Sequence, residues 1–150
     1  ELPKDISWHF IGPIQTNKIN KMIGIFSVIH SVASCRVAQL LSEKSMAHGV
    51  VQKVLLQVNI TQEITKQGFS IQELLCNIKD LTALTGIQII GLMTMGPLSG
   101  DKEEIRLCFQ KLKKLQNAMA MIYLIILSQK MLNLLKIYLI LFMNSNVSSN

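Results

Sequence analysis

The sequence predicts an α/β fold of parallel strands, either an open sheet or part of a (β/α)8 TIM barrel, and three observations carry the prediction. Four short β-rich runs alternate with four helical patterns along the chain. The links between them are short, so each passage from strand through helix to strand is a right-handed crossover between parallel neighbours. Of the 150 residues, 49% are apolar and 16% charged, enough for one sizeable core and too apolar for a disordered chain.

The first β-rich run is 7–12, with His9 between Trp8 and Phe10, followed by a short helix over 15–22. The second is 25–30, followed by a helix over about 34–46 that places Val37, Leu40 and Leu41 on one face. The third strand, 51–60, contains Val54, Leu55, Leu56, Gln57 and Val58, the nearly unbroken apolar run of a strand buried on both faces. A polar loop over 61–68 leads to Ser70 and Glu73, a capping box that opens a helix reaching about residue 84. The fourth strand is 87–95, and Asp101 caps the start of the fourth helix. All 8 glycines and all 3 prolines lie at or before Gly100, so the last third has no backbone punctuation. Ile, Leu, Met and Tyr dominate 118–143, and 144–150 is a short tail rich in Asn and Ser.

The net charge of +6 is spread thinly. Residues 1–117 hold 13 basic and all 9 acidic side chains, and the densest basic group, Lys111, Lys113 and Lys114, follows Asp101, Glu103 and Glu104 on a helical pattern. A solvated helix end is the reading, and no nucleic-acid partner is predicted. Cys35, Cys76 and Cys108 are odd in number and far apart, which reads as reduced core thiols of a cytoplasmic protein with no zinc site. The start at Glu1 shows no basic-then-apolar signal and suggests a processed or incomplete piece.

In parallel α/β folds ligands gather at the carboxyl ends of strands, here 12–13, 30–31, 59–60 and 93–96. Neither a phosphate-cradling glycine loop nor a nucleophile elbow is present. A lone His9 within a strand reads as a hydrogen-bonded core residue, and His30 has no carboxylate near it in sequence to set its tautomer. Asn59, an amide closing an apolar strand, needs partners that either a ligand or the neighbouring loop supplies. Lys66 offers a cation to an anionic ligand or is simply solvated. Met93 flanks Thr94 as core or as cofactor contact, and Thr94 stands where a ligand approaches closely.

Taken in order, these strand ends resemble a known family. The string from Trp8 to Lys18, then His30, Ser31 and Val32, then Val54 to Ile60 with Glu63, Lys66 and Gly68, then Gly91 to Met95, is similar to the pyridoxal phosphate homeostasis protein family over about residues 5–117. The resemblance implies a barrel related to the amino-terminal domain of alanine racemase, with pyridoxal 5'-phosphate held at the strand ends. It implies a carrier or buffer role and no enzymatic reaction. The expected cofactor contacts are His9, Asn59, Lys66, Met93, Thr94 and Ser128. The family's first two strands, with the lysine that forms the Schiff base, would lie before Glu1, and none of Lys4, Lys18 or Lys53 falls in a matching motif. That argues against a racemase-like enzyme. Ala33 stands where the family carries aspartate, and Leu127-Ser128-Gln129-Lys130-Met131 echoes a phosphate-holding segment with Lys130 in place of aspartate.

The expectation is therefore a partial barrel over 1–117 with a divergent apolar tail over 118–150, a shortened copy from a decayed or frame-shifted gene with a weakened cofactor grip. Its open sheet edges invite self-association. The alternative is a small α/β module attached to a membrane or a partner through the tail. Ser128, Gln129, Lys130, Asn133 and Lys136 interrupt that tail, which favours a partner-covered helix over a spanning one.

Overall fold

A computed structural model describes residues 6–98 and 100–147. Lys4, the side chain of Lys130 and the end of the 144–150 tail lie outside the described residues. Four strands, β1 (His9–Phe10), β2 (Val28–Val32), β3 (Gln52–Gln57) and β4 (Ile87–Met93), form one sheet in the order β1-β2-β3-β4. Every neighbouring pair is parallel. A single turn of 3-10 helix at Thr16–Lys18 runs into α1 (Ile19–Met22), and α2 (Cys35–Ala47), α3 (Ile71–Ala83) and α4 (Lys102–Val147) follow the later strands. This is the predicted α/β arrangement of successive strand–helix units, open at β1 and β4.

The helices begin where the sequence says they should. Ser34 Oγ accepts from the Val37 amide at 3.3 Å. Ser70 Oγ accepts from the Glu73 amide at 3.1 Å, the serine half of the predicted box, and Asp101 Oδ1 accepts from the Glu104 amide at 2.8 Å. One face of the sheet is sealed by these helices: Ile29, Val54 and Leu56 join Leu41, Leu74 and Phe69 in a core with no solvent exposure. The other face is only partly covered, with Val28 and Gln57 buried on it. Lys53 is exposed and Leu55 half-buried, so β3 is buried on one face at its amino end, where the sequence predicted burial on both.

Several strand boundaries move. The first strand shrinks from 7–12 to two paired residues, because β1 is an edge strand with only β2 beside it and Pro13 lacks the amide to continue a ladder. The second slides from 25–30 to Val28–Val32, since Gly24 at φ 79° turns the chain and leaves Ile25 facing solvent. His9, read as a core residue, is exposed on the edge strand, and Cys76, read as a core thiol, is exposed on α3.

The helix α4 runs for 46 residues straight across the 117–118 boundary, as a segment free of glycine and proline allows. Cys108, Leu115 and Met119 are buried, with Leu112 and Ile122 packed beside them at helical spacing, and this stripe seats α4 on the core. Beyond Ile122 the stripe ends: Tyr123, Leu124, Ile125, Met131 and Leu132 are exposed.

Three substitutions report on this packing. Phe69→Ala empties a fully buried site and should cost about 3–5 kcal/mol in urea unfolding, whereas Ile64→Ala, at a fully exposed side chain, should stay within about 0.5 kcal/mol. Gly86→Ala would put Cβ 2.0 Å from the Ser42 carbonyl oxygen and should destabilise by about 2 kcal/mol or more through forced backbone movement.

Candidate functional site

Parallel strands bring their carboxyl ends to one rim of the sheet, and the tips of β3 and β4 are tied together there. The Val58 amide donates to Met93 O at 2.8 Å, and Thr94 Oγ1 donates to Val58 O at 2.7 Å. After a loop over 61–68, the chain folds back onto the end of β3. The Phe69 amide donates to Gln57 O at 2.8 Å and the Asn59 amide to Phe69 O at 2.9 Å. That return demands glycine before Phe69. Gly68 sits at φ 134°, and a Cβ there would lie 2.8 Å from Asn59 N and 3.0 Å from Gln57 O.

Asn59 closes the loop from inside. Its Nδ2 donates to Glu63 O at 2.8 Å and Lys66 O at 3.2 Å, while its Oδ1 accepts from Thr61 Oγ1 at 3.3 Å. Lys66 Nζ donates to Glu63 Oε1 at 2.6 Å and to Gly96 O at 2.7 Å, and its side chain is only 9% exposed. The hydrogen bond from Lys66 outweighs partial desolvation and holds the Glu63 carboxyl below its ordinary range, with help from Thr61 and the lysine's charge. The loop, β3 and β4 are thus locked by side chains whose polar atoms find their partners within the rim.

A second constellation stands on β1 and β2. The register pairs His9 with Val28, which sets His9 diagonally across from His30 on the same face. His9 Nδ1 lies 2.9 Å from His30 Nε2, with ring centroids 5.0 Å apart. Burial first, and the neighbouring His9 second, lower the proton affinity of His30. Beside it, buried Ser31 donates from Oγ to Gly12 O at 2.6 Å, tying the β2 end to the loop after β1.

Of the expected contacts, Asn59, Lys66, Met93 and Thr94 come together at the β3–β4 rim. Asn59 takes the second of its two readings, bonding its own loop, and Lys66 is neither solvated nor free. His9 stands two strand positions away on the β1 edge. Ser128 does not join the rim: it is exposed on α4, its Oγ donating to Ile125 O at 2.8 Å in its own preceding turn. Sequence reasoning missed the pairing of His9 with His30, which needs a register that spacing alone does not supply, and the role of Glu63, which its i,i+3 spacing from Lys66 does signal. Among the described residues no group of three or more His, Cys, Asp or Glu side chains could hold a metal ion.

Residues 5–131 match the family described as alanine racemase, N-terminal domain. The pyridoxal phosphate homeostasis protein of Aquifex aeolicus is 34% identical over 113 residues, covering 75% of this chain and 50% of the relative. That of a Synechocystis species is 35% identical over 115 residues, covering 77% of this chain and 53% of the relative. This chain spans about half the length of the curated relatives it matches. The structure of PipY from Synechococcus elongatus with PLP bound superposes with a TM-score of 0.71 at 30% identity, over 79% of this chain and 54% of that one. Alanine racemase of Clostridium difficile, at 18% identity and a TM-score of 0.59, shares the fold.

Removing the Asn59 amide leaves loop carbonyls unpaired, so Asn59→Ala should cost about 2 kcal/mol and speed hydrogen exchange at Phe69 before that of β2. Glu63 titrates lower when folded than when unfolded, so its contribution is present above the ordinary glutamate range and is lost as pH falls through the lower, folded value. Between about pH 6 and about pH 3 the parent chain should therefore lose more stability than Glu63→Gln, read as the difference between their urea midpoints.

Proposed function

The chain belongs to the alanine racemase N-terminal domain family and, within it, to the pyridoxal phosphate homeostasis proteins, and from that membership we propose a pyridoxal 5'-phosphate-binding role in vitamin B6 homeostasis with a weakened, non-covalent grip. The observation that carries the weakening is the rim itself. A phosphate dianion is held by unspent amides or cations. Lys66 Nζ is spent on Glu63 and Gly96, Asn59 Nδ2 on two loop carbonyls, and Thr94 Oγ1 on Val58. These side chains do not fit the cofactor's phosphate as they stand, and Ser128 lies away on α4. In this reading Asn59, Lys66, Met93 and Thr94 shape the cofactor's rim by fixing the loop, His9 borders it from β1, and the chain performs no reaction of its own. Such a protein works in the cytoplasm, without nucleic acid, and the two free sheet edges favour self-association. The groove of ≈ 530 Å³ beside β4, lined by Ile87, Ile89, Leu81, Met119 and Tyr123, is where another copy would add its apolar surface.

A second reading has its own observation. Over Lys102–Lys136 the helix α4 is long and apolar enough to cross a membrane, its most apolar 18-residue window having a mean hydropathy of 1.6 with 6% of that window buried. Attachment of the α/β unit to a partner or a membrane through that surface is the alternative proposal, with a covering partner favoured because Gln129, Asn133 and Lys136 share one side of the helix at i, i+4 and i+7.

Titration with pyridoxal 5'-phosphate, followed by cofactor absorbance and borohydride trapping, tests the main reading. Saturable binding that weakens in Asn59→Ala, with no stoichiometric adduct at a single lysine, is expected. A unique trapped lysine, or no saturable binding at all, would contradict it.

A further inference from the structure

The histidine pair on β1 and β2 takes no part in the rim network. His9 and His30 are 21 residues apart in sequence, and the parallel register alone brings His9 Nδ1 to 2.9 Å from His30 Nε2. His9 is exposed and His30 half-buried, so the pair lies at the surface of the sheet. Two neutral imidazoles at this distance must share one proton, because one nitrogen donates and the other accepts. A cation that draws on both lone pairs can take that proton's place. Bonds from metal to imidazole nitrogen are about 2.0–2.1 Å, so two of them at right angles separate the nitrogens by about 2.9 Å, against about 3.4 Å in a tetrahedron. The separation in this protein is the right-angle one, which belongs to the tetragonal geometry favoured by copper(II) and nickel(II).

We propose that His9 and His30 form a two-nitrogen chelate for a tetragonal divalent transition ion, copper(II) above all, with His9 binding through Nδ1 and His30 through Nε2. The ring that donates the hydrogen bond gives up the proton on its facing nitrogen and takes one up from water on its outer nitrogen, so that His9 Nε2 and His30 Nδ1 carry the two ring protons and the neutral pair binds with no net proton release. A reorientation of about 45° at each ring turns the lone pairs from facing each other to converging on the ion, and water fills the remaining positions. His48 provides an internal control, since its imidazole is exposed and already bonded to Asn20 Oδ1 at 3.1 Å.

The test is a copper(II) titration of the whole chain in a non-chelating buffer, read by calorimetry and by electron paramagnetic resonance. One ion per chain is expected, with superhyperfine coupling to two imidazole nitrogens. His9→Gln and His30→Gln should each weaken binding by at least about tenfold, and His48→Gln should bind as the parent does. Coupling to fewer than two nitrogens in the unsubstituted chain would overturn the proposal whatever the variants do, and so would equal affinity in His9→Gln and His30→Gln. Far-UV circular dichroism establishes that each variant keeps the fold.

Discussion

The rim depends on the return of Phe69 to the end of β3. Its side chain has no solvent exposure, and its backbone exchanges hydrogen bonds with Gln57 and Asn59, so the loop over 61–68 leaves the strand and is brought back to it. Because Phe69 is anchored in the core shared by α2, α3 and the sheet, the loop's position is set by apolar burial, with polar contacts adding definition. Gly68 makes the turn sterically feasible, and the amide of Asn59 then takes up the carbonyls that the turn exposes. Lys66 is a consequence of this geometry. Carried by a loop closed from both ends, its ammonium is delivered to Glu63 and to the Gly96 carbonyl beyond β4, and so the β3 loop and the β4 tip behave as one piece.

That arrangement changes what the strand-end residues mean. Residue types that would bind an anion if free, a lysine, an asparagine amide and a threonine hydroxyl, are here turned inward to their own backbone. Their polar groups shape the rim, and their capacity to grip a ligand is spent in doing so. The more open face of the sheet, and the edges at β1 and β4, follow from the same arrangement. Four parallel strands with helices on one face build a sound core on that face, while closure of a barrel takes about twice as many strands.

Much of this was legible in the sequence, and the particulars show why. Ser70 and Asp101 announce helix starts because a capping side chain acts on an amide two or three residues away, so the interaction is local. The alternation of strands and helices, and the rim positions of Asn59, Lys66, Met93 and Thr94, follow from patterns of similarly short range and from the family resemblance. What failed to show is long-range. The exposure of His9 depends on β1 being an edge, and its partner His30 depends on register. The slide of β2 depends on Gly24 turning the chain before Ile25 can pair. Ser128 was placed by its similarity to a phosphate-holding segment, yet the glycine-free, proline-free run after Gly100 continues one helix and carries it away from the rim. The fate of Lys66 was half legible: the i,i+3 spacing points to Glu63, while the Gly96 carbonyl, 30 residues on, required the fold.

The central claim is that the loop over 61–68 and the two strand tips form one self-satisfied unit. A double-mutant cycle on Asn59→Ala and Lys66→Met, measured by urea unfolding, tests it most directly. If the unit is real, the two losses should be non-additive by about 0.5–3 kcal/mol, because either change already releases the loop that the other residue needs. Additivity within about 0.3 kcal/mol would show that the two residues act independently, and would contradict the account.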